Sequence, residues 1–278
     1  DNPALDVLEL EAAKKEMDAD TYRQEILAEY VDNVGSLFHY DALIDVFTNT
    51  IVKDKEKYMT VDIADDGSDK TIFSVWESLE EVEREEYAQL NTENIIDKIR
   101  EKAAFHKIPF SHIAVDAIGV GAGVASSTLL AGINGYNSSY AAIKTDHSIV
   151  HLPNVHYHTD APLTSEYANL RSQCVFLLAD HVNNHKIASR ITGEHKEKII
   201  EELALYQDAS RGDGKRLATQ KEDIRALLGR SPDHSDTWIM RCYFVVRANL
   251  IPANADLTNS IRSRMDMNAR INRNESTR

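Results

Sequence analysis

The stretch YMTVDIADDGSDKTIFSVW, Tyr58 to Trp76, decides how the chain is read. Val, Ile, Phe, Tyr, Trp and Thr dominate its two ends, and ADDGSDK between them is turn chemistry. The spacing predicts a β-hairpin with strands over 58–63 and 71–77. A hairpin leaves Asp62 unexplained. A carboxylate among apolar strand neighbours is costly to bury unless positive charge lies opposite it.

Working outward, a third strand is expected over 80–88, and the acidic run ESLEEVEREEY (77–87) reads as a solvated face. Asn91 or Thr92 then caps a helix, ENIIDKIREKAAFHK. After Pro109, SHIAVDAIG is a short buried strand ending at Asp116, and GVGAGVASSTLL turns directly into a helix. INGYNSSYAAI (133–143) is a further strand, and SIVHLPNVHYHT gives two β runs around a Pro153-Asn154 turn. SEYANLRSQCVFLLADHVNN and HKEKIIEELALYQ are helices. Thr219-Gln220-Lys221-Glu222 forms a capping box for a helix that stops at Gly229, and SPDHSD (231–236) leads into a buried helix, TWIMRCYFVVR. Two helices precede the hairpin region, and residues 36–54 are a transition of undefined structure. The order of elements predicts an α/β fold, in which antiparallel hairpin strands open a mixed sheet and parallel strands extend it between flanking helices.

Composition narrows the classes. With 278 residues, 42% hydrophobic and 27% charged, the chain can close a sizeable core. It begins at Asp1 without an initiator Met, which suggests a fragment or a processed product. No apolar run approaches the ~20 residues that cross a bilayer, and no signal peptide is visible. Cys174 and Cys242, the two cysteines, have no metal spacing and fit a reducing compartment. A net charge of −14 argues against a protein that simply coats nucleic acid. Lys215 to Arg230 and the tail from Arg262 are local basic exceptions.

Three carboxylates carry the chemistry. Asp62 lies late in the first strand, Asp116 ends the strand after the crossover helix, and Asp236 opens a late helix. Ligand sites in open α/β sheets lie at the carboxyl ends of strands. Carboxylates that converge there need cations, and hard divalent ions with oxygen ligands suit them. Duller readings exist for each: Asp65, Asp66 and Asp69 as turn residues, Asp233 and Asp236 as helix caps. Other motifs fail. Asp62 to Phe73 lacks the third and twelfth ligands of a calcium loop, and Gly119-Val120-Gly121-Ala122-Gly123 has the wrong spacing for a dinucleotide fingerprint. Those glycines instead suggest a tight turn beside Asp116. His151, His156 and His158 are a weak zinc pattern, and no P-loop motif occurs.

The blocks YMTVDIADDGSDKTIFSVW, HIAVDAIGVGAGVASSTLL, EYANLRSQCVFLLADHV and LLGRSPDHSDTWIMRCYF, in that order, resemble the nuclease domain of the large terminase subunit of tailed bacteriophages. The similarity spans roughly residues 20–247. It implies an RNase H-like fold and a two-metal DNA endonuclease that cuts concatemeric phage DNA in the host cytoplasm. By motif position, Asp62, Asp116 and Asp236 match the metal ligands of two Mg²⁺ or Mn²⁺ ions, with Asp62 bridging, and Asp69 matches a further acidic position. Ala117 stands where an acidic residue often follows Asp116, and the 144–163 hairpin is longer than usual. The resemblance also divides the chain: a helical segment (1–54) leading from an absent ATPase domain, a nuclease domain (55–250) and a basic tail (251–278). The implied partners are double-stranded DNA, the ATPase domain, the small terminase subunit and the portal protein. Rival readings are a transposase or junction resolvase of the same fold, and a non-catalytic interaction module of a packaging machine.

Overall fold

A computed structural model describes residues 35–64, 70–88, 90–143, 166–210, 212 and 214–248. The helices expected before residue 35, the turn with Asp69, the hairpin expected over 144–163 and the basic tail lie outside the described residues.

Within them, Tyr40–Asp45 forms α1, and the hairpin follows as β1 (Lys57–Asp62) and β2 (Lys70–Glu77), with β3 at Glu80–Ala88. Next come α2 (Thr92–His106), β4 (Ile113–Asp116), α3 (Val120–Ala125) and β5 (Asn134–Tyr136). The remainder is α4 (Leu170–Asn183), a two-residue β6 (Ala188–Ser189), α5 (Glu194–Leu203), α6 (Lys221–Leu228) and α7 (Asp233–Ala248). The sheet order is β5-β4-β1-β2-β3-β6. The β1–β2 and β2–β3 pairs are antiparallel, whereas β4, β5 and β6 join in parallel. This is the mixed RNase H-like sheet expected from the sequence.

Strand alternation divides the core in two. Met59, Val61, Ile113 and Val115 face Ile95 and Ile99 of α2 and Val124 of α3. On the other face, Trp76 meets Trp238 of α7 edge to face, and Tyr58 packs on Phe244. Thr60 and Asp62 belong to this second face by alternation, and Thr60 Oγ1 accepts a hydrogen bond from Trp76. Asp62 therefore points towards α7. The β1–β4 register pairs Val61 with Val115, so the next residues, Asp62 and Asp116, end adjacent parallel strands at one rim and on one face.

The acidic run is not a solvated face. Glu81 is fully buried and Arg84 nearly so. Arg84 donates to Glu81 and Thr237, while Trp238 and Ser189 also donate to Glu81. Strand β3 is thus flanked by β6 and covered by α7, and Glu81 and Arg84 form an internal polar pair. Three smaller differences bear on the ends of elements. β5 stops at Tyr136, and α3 stops at Ala125 before a short 3₁₀ turn. Gln220, not Thr219, is the N-cap of α6, because the Thr219 hydroxyl is bonded to the Gln207 backbone. Helix α7 begins at Asp233, so SPDHSD supplies its first turn rather than a leader before it.

Candidate active site

One pocket, at the rim where β1 and β4 end, is lined by Asp62, Asp116, Asp233 and Asp236 together with Arg171 and Lys221. The three carboxylates singled out in the sequence therefore meet, joined by Asp233. Asp69 lies outside the described residues.

Each is held by its local backbone. The Ala64 N–H after Asp62 donates to Thr71 Oγ1 of β2 at 3.2 Å, anchoring the strand end. Asp116 Oδ1 accepts from the Ile118 N–H at 3.1 Å, which turns the chain into α3. Gly121 then lies so close that a Cβ there would overlap the Asp116 carbonyl oxygen. The glycine run thus lets a helix back directly onto a site residue. Asp236 is set by the start of α7, where Glu202 Oε2 accepts the Ser235 N–H at 2.7 Å. Arg171 reaches in from α4, donating to the Thr219 carbonyl at 2.9 Å and to Tyr206 Oη at 2.7 Å. Tyr206 Oη is in turn 3.2 Å from Ser235 Oγ.

The electrostatics are those of an under-compensated anionic site. Burial pushes the Asp62 carboxyl well above the usual carboxylate range; Lys221 opposes this, while Asp236, Asp233 and Asp116 add to it. Lys221 Nζ lies 2.6 Å from Asp236 Oδ2 and 4.0 Å from Asp233 Oδ1. Burial pulls its ammonium down, but Asp236, Asp62 and Asp233 outweigh burial, and its pKa is raised. Arg171 Nη2 is 3.8 Å from Asp236 Oδ1. With Glu222 and Arg225 included, five carboxylates among the described residues line the pocket against three cations. That surplus, the depth of Asp62 and an all-oxygen acidic donor set fit hard divalent cations such as Mg²⁺ or Mn²⁺. Among the described residues, no histidine or cysteine lines the pocket.

Arg171, Lys221 and Arg225 were not singled out by sequence reasoning. The basic character of 215–230 was a signal for two of them. An arginine one residue into an apolar helix, NLRSQCVF, was the signal for the third.

Glu86, His195 and His234 form a second cluster, with one potential ligand atom from each within 4.8 Å of the others. It does not suit a cation. Arg84 Nη1 lies 3.1 Å from His234 Nδ1, so Nδ1 accepts and the ring proton sits on Nε2, which faces Glu86 Oε2 at 3.4 Å. Burial, then Arg84 and Lys198, lower the His234 pKa to about 2. The neutral imidazole could ligate, but the positive charges of Arg84, Lys198 and Arg230 around it repel a divalent metal.

No family model and no curated protein matches the chain. Solved structures do. The nuclease domain of the large terminase subunit gp2 of bacterial virus Sf6 superposes with a TM-score of 0.57 at 17% identity, covering 74% of this chain and 98% of that one. The chain has the fold of a large-terminase nuclease domain. A mutant of the Sf6 domain with manganese and beta-thujaplicinol gives a TM-score of 0.57 at 18% identity, again over 74% of this chain and 98% of that one. A mutant with calcium gives 0.57 at 17% identity, with the same coverage. At such identities the likeness is one of fold.

Proposed function

We propose that this domain is a divalent-metal-dependent endodeoxyribonuclease of a viral genome-packaging motor, cutting concatemeric double-stranded DNA. The observation that carries this reading is the meeting of Asp62, Asp116 and Asp236 from β1, β4 and α7 in one acidic pocket. The terminase-nuclease fold supports it, as do manganese and calcium in similar domains.

Asp62, Asp116 and Asp236 would hold two Mg²⁺ or Mn²⁺ ions, with Asp69 as a further acidic position. Bound there, such ions lower the pKa of an attacking water and stabilise charge on the leaving 3′ oxygen. The side chains of the chain itself do the rest. Asp62, which burial holds towards its protonated form, would give up that proton to hold a cation. Lys221 and Arg171 hold Asp236 in one orientation. Among the described residues, no imidazole lines the pocket to act as general base.

The domain division follows the same reading: residues 1–54 as the link from an ATPase domain, 55–250 as the nuclease with its 144–163 insertion, and 251–278 as a tail. A chain of net charge −14 is poorly suited to capture DNA unaided. DNA would instead be delivered in the cytoplasm of an infected bacterium by the ATPase domain, the small terminase subunit and the portal protein.

The test is plasmid cleavage with Mg²⁺ or Mn²⁺, comparing wild type with Asp62→Asn, Asp116→Asn and Asp236→Asn. Each folded variant is expected to lose about a hundredfold in rate or more, the scale of losing a single group that stabilises transition-state charge. Full activity in a folded variant removes that residue from the site. No cutting by wild type with any divalent cation rejects the nuclease reading.

A further inference from the structure

Beside the carboxylate pocket runs a second groove, lined by Lys70, Glu86, Lys198, Arg225, Arg230 and Asp233 among others. Arg225, Ser231 and Asp233 line both hollows, so the two form one continuous trough. The charge balance inverts along it. The second groove presents four cations, Lys70, Lys198, Arg225 and Arg230, against two carboxylates, Glu86 and Asp233. In a chain of net charge −14 such a local excess of cations stands out, and it abuts the acidic pocket directly.

Arg225 occupies the junction. It follows Lys221 by four residues on α6, so the two side chains share a helix face about 6 Å apart along the axis. Lys221 is engaged by Asp236, whereas Arg225 is exposed and its side chain has no ion pair or hydrogen bond among the described residues. The other cations are anchored but not spent. Lys70 pairs with Glu86, Lys198 lies 2.7 Å from Glu194 and 3.9 Å from Glu86, and Arg230 pairs with Glu201 and Glu202. Lys70 keeps about half of its side chain exposed. A planar guanidinium with free donors, backed by fixed ammonium groups, matches a phosphate diester.

We propose that this trough is the track of the DNA strand being cut, with Arg225 binding the phosphate next to the scissile one and Lys70 and Lys198 attracting the phosphates beyond it. The proposal rests on the nuclease reading of the carboxylate pocket and adds the direction in which the strand leaves it. Arg225 binds backbone and takes no part in bond breaking. Its effect falls on substrate affinity more than on turnover.

The test compares wild type, Arg225→Ala, Arg225→Lys and the double variant Lys70→Ala/Lys198→Ala. Arg100→Ala, an exposed arginine on α2, serves as a charge-matched control. Steady-state cleavage of a linear duplex is measured over a salt series, alongside duplex affinity by fluorescence anisotropy in EDTA, with melting temperature as the fold control. Arg225→Ala is expected to raise KM and weaken affinity roughly three- to tenfold, with a smaller change in kcat, and to reduce the slope of log affinity against log salt by about one. Arg225→Lys should recover part of the loss, the double variant should weaken affinity further, and Arg100→Ala should match wild type. Unchanged affinity and salt slope in a folded Arg225→Ala protein overturns the track, as does a loss in kcat alone. The anisotropy arm separates the two claims. If wild type never cuts, the nuclease reading fails, while the affinity ratio still decides whether this groove binds DNA.

Discussion

Two groups of buried charge face helix α7 from the same side of the sheet, and they differ in how far they are balanced. Around Glu81, the carboxylate accepts from Arg84 Nε at 2.9 Å, Trp238 Nε1 at 2.9 Å and Ser189 Oγ at 3.3 Å, with Arg84 Nη2 2.8 Å away. At the β1–β4 rim, five carboxylates face three cations, and Asp62 is held towards its protonated form. The first group is closed on itself. The second is left with negative charge that the described residues do not neutralise. Complete pairing is what a structural charge needs, whereas a surplus of like charge in a cleft is the arrangement of a binding site.

The contrast can be broken in several places. The largest effect is expected at Glu81. Glu81→Gln leaves the Arg84 guanidinium buried without its counter-charge, and should cost about 3–5 kcal/mol in a urea melt. A loss under 1 kcal/mol would mean that the cluster does not hold β3 to α7. Between the two groups sits Glu202, fully buried, bonded to Arg230 and to the Ser235 N–H. Burial raises its pKa to about 7 despite both partners. From about pH 4.5 to 7 the unfolded chain releases this proton and the folded chain keeps it, so stability should fall as pH rises, by up to about 3 kcal/mol. Glu202→Gln should abolish that slope; a slope that persists would assign it to another group.

Smaller effects test the rim itself. Gly121→Ala forces a methyl group into the Asp116 carbonyl and should cost about 1–3 kcal/mol by overpacking, with weaker Mn²⁺ binding as Asp116 shifts. Calorimetry that finds Mn²⁺ affinity unchanged would separate Asp116 from the ion. Asp62→Asn acts in the opposite sense. Without metal it should stabilise the fold by about 1–2 kcal/mol at pH 8, and the gain should fade as pH drops through the ordinary Asp pKa of about 3.9, to vanish near about pH 3, where Asp62 is protonated whether folded or not. A destabilised metal-free Asp62→Asn protein would place Asp62 with the closed cluster.

Much of this was legible in the sequence because it is local. Alternation in YMTVDI and TIFSVW gives two strands, and an Asp on the same face as Thr60 is visible in the letters. The mixed sheet, β3, the Asn91 cap and the Gly229 stop follow from equally short-range signals. What was misread depends on distant partners. Glu81 reads as a surface residue until Ser189 and Trp238 are placed against it. Thr219 reads as a cap until Gln207 takes its hydroxyl. Arg171 and Lys221 enter the site from helices far along the chain, and no spacing rule links them to Asp62.

The most direct measurement is the anomalous difference map of a crystal soaked in Mn²⁺. Two peaks are expected among the carboxyl groups of Asp62, Asp116 and Asp236, with Lys221 moved away from Asp236. No peak there, or peaks at Glu86, His195 and His234 instead, would contradict the account.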